Sequence, residues 1–179
     1  EIGLMGSSHY LQAHAGELPG HVAVMNFDMT GDPEGFWTPG HAEQPPLLAD
    51  LATRLASLGL RPDAHRSDAS LHSDHQPFML AGVPIVGLVA PASHAGRRYY
   101  HSVGDTFEKV ALPPMCRAVA AAAHAMWAVA DADERILPHL EPEAVRAMLE
   151  AVDLLEASGF ESARAAAHAP VVAAPPATP

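Results

Sequence analysis

Apolar positions fall along the chain in two alternating patterns, short continuous runs and longer stretches at helical spacing. His21-Val-Ala-Val-Met-Asn-Phe-Asp28 is short, mostly apolar and bounded by turn signals. Its length and its β-branched and aromatic content predict a buried strand rather than a helix. Val83-Pro-Ile-Val-Gly-Leu-Val89 predicts a second. Leu47, Leu48, Leu51, Leu55 and Leu58 recur every three or four residues, predicting a helix from Pro45-Pro46 to about Leu58 with Gly59 as its terminator. Leu4 to about Leu18 reads as a helix ending near Pro19-Gly20, with Tyr10, Leu11 and Ala15 turned to the core. Ser73-Asp-His75 leads into a short helix through Ala81. Leu112 to about Ala130, Ala-rich and opened by Pro113-Pro114, predicts a long helix with Met115, Val119, Met126 and Trp127 facing inward. Thr30 to Gly35, Pro39-Gly40 and Pro91 to Arg98 carry loop chemistry.

Strands alternating with helices predict an α/β domain, a three-layer sandwich whose central sheet is mostly parallel and covered on both faces. The chain opens in mid-motif at Glu1-Ile-Gly-Leu-Met-Gly-Ser7, with no initiator Met. The expectation is that it is the C-terminal part of a longer protein, with the sheet's first strand and helix ahead of residue 1. The composition changes after Asp131. Residues 132–168 read as an appended helical segment, in which Val145, Met148, Leu149, Val152 and Leu155 share one face of a helix from Glu141 to about Ala157. Glu141 and Glu143 suit that helix's first turn. The segment either packs on the domain or mediates a homo-oligomer. Residues 169–179, Ala, Pro and Val with a single Thr, are expected to be a disordered tail.

Charge narrows the partners. A formal net charge of -11 with one lysine, Lys109, argues against nucleic acid, which needs a basic footprint. One cysteine, Cys116, excludes an internal disulfide and a cysteine-based metal cluster. No apolar run approaches the roughly 20 residues of a membrane span.

The candidate chemistry lies in three segments. Glu1 precedes a Gly-rich turn, Asp28 ends the first strand, and His101 follows Tyr99-Tyr100 and precedes Ser102-Val-Gly-Asp105-Thr106. Two carboxylates and an imidazole are metal ligands of the kind zinc accepts. In open α/β sheets the carboxyl ends of strands are where ligands bind, and a carboxylate there needs a partner such as a cation. Each residue also has a plainer reading: a solvated terminus for Glu1, a turn residue for Asp28, a packed or surface histidine for His101. Asp105 is placed to orient the imidazole, and Asp74 with His75 forms an acid and imidazole pair, with helix capping by Asp74 as the alternative. Arg97 and Arg98 either bind a substrate carboxylate or are solvated loop residues. His9, His14, His72 and His124 have no matching companions.

Five segments in order carry a resemblance. Glu1-Ile-Gly-Leu-Met-Gly-Ser7, Asn26-Phe-Asp28-Met29, Ser73-Asp-His-Gln-Pro-Phe78, Gly82-Val-Pro84 and Tyr100-His101-Ser102 with Asp105-Thr106 resemble the co-catalytic zinc exopeptidases of the leucyl aminopeptidase and glutamate carboxypeptidase family, carboxypeptidase Q-like bacterial members in particular. The resemblance covers roughly residues 1–131, as the C-terminal portion of the catalytic domain, and Pro138 to Gly159 is familiar from bacterial members. It implies that Glu1 and His101 share one zinc and that Asp28 binds the other, two Zn2+ in a complete active site. The remaining ligands, a His and a bridging Asp, and the general base, the first Glu of a Glu-Glu pair, would precede residue 1. The activity implied is hydrolysis of peptide or dipeptide substrates, with the chain by itself inactive. Tyr100 would wall the cleft, and the family's bacterial members are often secreted or periplasmic. Whether the enzyme removes N-terminal or C-terminal residues stays open. Two other readings compete. A glutaminyl cyclase-like single-zinc acyltransferase is favoured by Trp where this chain has Tyr100, and a non-catalytic receptor or scaffold is disfavoured by retention of Glu1, Asp28 and His101.

Overall fold

In a computed structural model of the chain, residues 3–91 and 98–160 are described. Glu1, Arg97 and the tail 169–179 lie outside them.

The strand predicted over residues 21–28 reduces to β1, Val24–Met25, and the second to β3, Ile85–Val89. They pair in parallel, Val24 with Ile85 and Met25 with Val86. A third strand, β2 at Gly35–Trp37, lies between the predicted loop segments Thr30–Gly35 and Pro39-Gly40, where the sequence pattern predicts no strand. Three residues are too few for an alternation to register, and β2 exists through antiparallel pairing with β3, Gly35 with Val89 and Trp37 with Gly87. Gly87 is required there, because a Cβ would stand 2.9 Å from the Trp37 ring. The strand order is β1-β3-β2. The α/β class therefore holds, but among the described residues the sheet is small and mixed rather than mostly parallel.

The first predicted helix is shorter than expected. α1 spans Met5–Ala13 and passes into a 3-10 turn, Ala15–Gly20, because Gly16 and Pro19 cannot extend α-helical bonding cheaply. Leu11 packs into the core, whereas Ala15 is exposed and Tyr10 is 44% exposed, its ring 5.9 Å from that of Phe78. α2, Pro46–Arg54, buries Leu48 and Leu51 as the leucine spacing predicts, and Gly59 closes the following 3-10 turn at φ 99°. α3 is Gln76–Leu80.

α4 spans Leu112–Ala130 as predicted, but the face is wrong. Ala118, Ala121, Ala125 and Val129 are buried, while Met115, Val119, Met126 and Trp127 are 41%, 60%, 53% and 74% exposed. Arg117 and His124 are the only large polar side chains on this helix, too few to fix its rotation, and close approach to α2 selects the small residues. The last predicted helix is broken in two, α5 at Pro142–Glu150 and α6 at Leu155–Ser158. Asp153 sits at φ 58°, the Leu154 N–H bonds to Leu149 O and the Asp153 N–H to Glu150 O. That is the Schellman pattern, with an aspartate in the left-handed position more often held by glycine.

Strand alternation sorts the core into two clusters. Val86 and Leu88 meet Leu48 and Leu51 of α2 and Ala121 and Ala125 of α4. Ile85 meets Phe78 and Met79 of α3 and Val145 and Leu149 of α5. The appended helix α5 thus packs on the domain, and Leu140 ahead of it donates to Gly82 O at 2.8 Å. No helix among the described residues is long and apolar enough to cross a membrane.

Candidate metal centre and its cleft

The chain leaves β1 through Asn26 and Phe27 and reaches Asp28, exposed at the carboxyl end of the strand. Asp28 opens onto a cleft of about 530 Å3, lined among others by Met29, Trp37, Arg66, His75 and Tyr100. Val89 and Ala90, at the end of β3, also line it. This is the sheet edge at which α/β folds place ligands.

A chain of hydrogen bonds lies behind Asp28. The Ser73 hydroxyl donates to Asp28 Oδ2 at 2.8 Å, and Asn26 Nδ2 donates to Ser73 Oγ at 2.7 Å. The same Nδ2 lies 3.1 Å from His75 Nδ1, while His75 Nε2 lies 2.8 Å from Ser70 O. His75 is buried at 2% exposure. Desolvation pushes its pKa below 6.5, outweighing the Ser70 carbonyl bond and the Asp28 and Asp74 charges, which act the other way. Trp37 stands edge-on to His75, ring centroids 4.8 Å apart, with its indole N–H fixed on Asp68 O at 2.8 Å. Arg66 forks onto the Asp68 carboxylate, Nε to Oδ1 at 3.0 Å. Inside the cleft this pair is internally neutral, so Asp28 supplies the unbalanced negative charge.

The predicted site residues are only partly gathered. Asp28, His75 and Tyr100 share the cleft. His101 is exposed on the adjoining turn at φ 52°, its ring stacked on Tyr100 with centroids 3.9 Å apart. Asp105 is exposed and its N–H closes that turn on Ser102 O at 3.0 Å. Asp74 is exposed and does not cap α3, whose N-cap position is held by His75 without a side-chain bond. Arg98 is exposed and not among the cleft-lining residues. Among the described residues no group of three or more His, Cys, Asp or Glu is placed to hold a metal ion. The donors fit zinc in kind, since Asp28 is an accessible carboxylate already steadied by one hydrogen bond and His101 an accessible imidazole. They do not by themselves complete a coordination sphere. Reading the sequence missed Trp37, which lies on the unrecognised β2. It gave no role to Asn26 or Ser73, although both stand inside the quoted motifs.

A model of peptidase family M28 matches residues 1–126. The chain belongs to peptidase family M28. M28 peptidases are zinc-dependent, so the co-catalytic zinc exopeptidase family read from five short motifs is the right one. Leupeptin-inactivating enzyme 1 of Streptomyces exfoliatus is 29% identical over 145 residues, which cover 71% of this M28 chain and 32% of that protein. The chain therefore spans about a third of the length of the curated relative it matches. No solved structure matches it significantly.

Proposed function

We propose that this M28 chain is the C-terminal portion of the catalytic domain of a zinc-dependent exopeptidase acting on peptides or dipeptides. In the complete domain its sheet is continued into a larger, mostly parallel one within a three-layer sandwich. The observation that carries the reading is the Asp28 carboxylate, held by Ser73 at the end of β1 and facing a cleft of peptide-accommodating size, about 530 Å3. Asp28 binds one of two Zn2+ ions, and Glu1 and His101 bind the other. Bound there, zinc supplies a water of lowered pKa and polarises the scissile carbonyl. This chain's own residues provide charge, orientation and shelter from solvent. Asp28 brings the negative charge that Arg66 and Asp68 do not. Buried, neutral His75 and the edge of Trp37 form a dry wall behind it. Tyr100, stacked on His101, couples the substrate wall to a ligand, with Asp105 bracing the turn and Asp74 adding negative charge beside His75. Arg97 and Arg98 are the candidates for a substrate carboxylate.

The test is zinc content by elemental mass spectrometry on the full-length protein, paired with a screen of aminoacyl-p-nitroanilides and dipeptides. About two zinc ions per chain with turnover are expected, and Asp28→Ala should lose zinc and activity while keeping the fold. One zinc without peptidase activity replaces this reading with the cyclase-like one, and an absence of zinc leaves a non-catalytic relative.

A further inference from the structure

The hydrogen bonds behind Asp28 have a direction that the atoms themselves dictate. Ser70 O is a carbonyl and can only accept, so His75 Nε2, 2.8 Å away, carries the ring proton. A neutral ring protonated at Nε2 has a bare Nδ1, which needs a donor. Asn26 meets Nδ1 at 3.1 Å with its NH2, a group that only donates, and this fixes which way the amide faces. The same NH2 donates to Ser73 Oγ at 2.7 Å. With a lone pair of that oxygen occupied, the single hydroxyl proton of Ser73 goes to Asp28 Oδ2 at 2.8 Å. Reversing the amide would offer its oxygen to Ser73, which would then donate to Asn26 rather than to Asp28.

We propose that Asn26 is a positioning residue: oriented by His75, it commits the Ser73 proton to one oxygen of Asp28 and presents the other to a cation. The inference deepens the function proposed above, because the cation is the zinc of that reading. Orientation of a ligand from behind typically matters about 10- to 100-fold in metal affinity. Asn26 has the geometry for such an effect without touching the metal or the substrate, and half-buried Asn26 links the buried imidazole to the exposed carboxylate.

Two measurements on the full-length protein test it. Nitrogen NMR of the His75 ring should show a neutral ring with the proton on Nε2. In Asn26→Asp the new acceptor should draw a proton onto Nδ1 as well, giving an imidazolium. Zinc affinity, read by competition with a chelator, should fall about 10- to 100-fold in Asn26→Leu. The same substitution made on top of Ser73→Ala should cost little more than Ser73→Ala alone, because both act along one line. A His75 with its proton on Nδ1 overturns the proposal, with or without metal. So does an Asn26→Leu loss that is undiminished in the Ser73→Ala background. A parent protein that binds no zinc but shows the expected ring tautomer overturns the zinc reading instead, and the effect of Asn26→Asp on the ring then decides the relay separately.

Discussion

α4 and α5 are both apolar-rich helices opened by proline, yet one buries the residues its pattern selects and the other exposes them. On α5, Glu143, Arg146 and Glu150 occupy the outer face, with an Arg146–Glu150 pair at 3.0 Å, and Val145, Met148 and Leu149 are left to turn inward. α4 has only two large polar side chains, Arg117, held on Asp32 at 2.6 Å, and exposed His124. Ala118, Ala121 and Ala125 go in, and Leu112, Val119 and Trp127 go out at 70%, 60% and 74% exposure. Periodicity finds a helix in both cases, but it fixes rotation only where polar residues exclude the alternative. Where polar residues are as few as on α4, volume decides, and small residues win wherever helix backbones approach closely.

The largest effect that can break this comparison is expected at Leu149, fully buried on α5. Leu149→Ala should destabilise the chain by about 2–5 kcal/mol in urea unfolding. A cost below about 1 kcal/mol would mean that α5 is not part of the core but an ornament on it.

On α4 the ordering should be inverted with respect to side-chain size. Ala121→Leu, at a site with no exposed surface, should cost about 1–3 kcal/mol by overpacking. Trp127→Ala removes a far larger side chain and should change the stability of the 179-residue chain by no more than about 0.5 kcal/mol. Equal costs at the two positions would show that the outer face of α4 is covered.

The smallest effect sharpens the comparison with a polar part of the interior. Thr38, fully buried beyond β2, lies 2.7 Å from His65 Nε2, and His41 Nε2 is buried without a hydrogen-bond partner among the described residues. Desolvation holds the pKa of both histidines below 6.5, and the neighbouring His65 lowers His41 further. Between the native values and about 6.5 the unfolded chain binds the extra protons, so stability is complete above that window and falls as pH drops through it. The urea midpoint should therefore be lower at about pH 5 than at about pH 8, with a smaller difference in His41→Leu. A pH-independent His41→Leu-to-parent gap would remove His41 from the explanation.

Legibility followed the length over which a signal is written. The leucines of α2 and the apolar run of β3 were readable because several local positions repeat one message. β2 was not, since Gly35-Phe36-Trp37 becomes a strand only by pairing with Leu88 and its neighbours, 50 or more residues on. The break at Asp153 was also hidden, because an aspartate in the left-handed conformation has no signature as strong as glycine's.

The site divides in the same way. Motif order identified the family, because residue types and spacings are written in the sequence itself, and of the candidate residues it named, Asp28, His75 and Tyr100 line one cleft. The direction of the bonds from Ser70 through His75, Asn26 and Ser73 to Asp28 was decided only by the tertiary structure. So were the packing of Trp37 against His75 and the choice of alanines as the buried face of α4. Local sequence determines which residues are available and which helices and strands they favour. Which atom donates to which, and which of two apolar faces is covered, depends on distances between segments far apart in the chain, and those distances exist only once the core has closed.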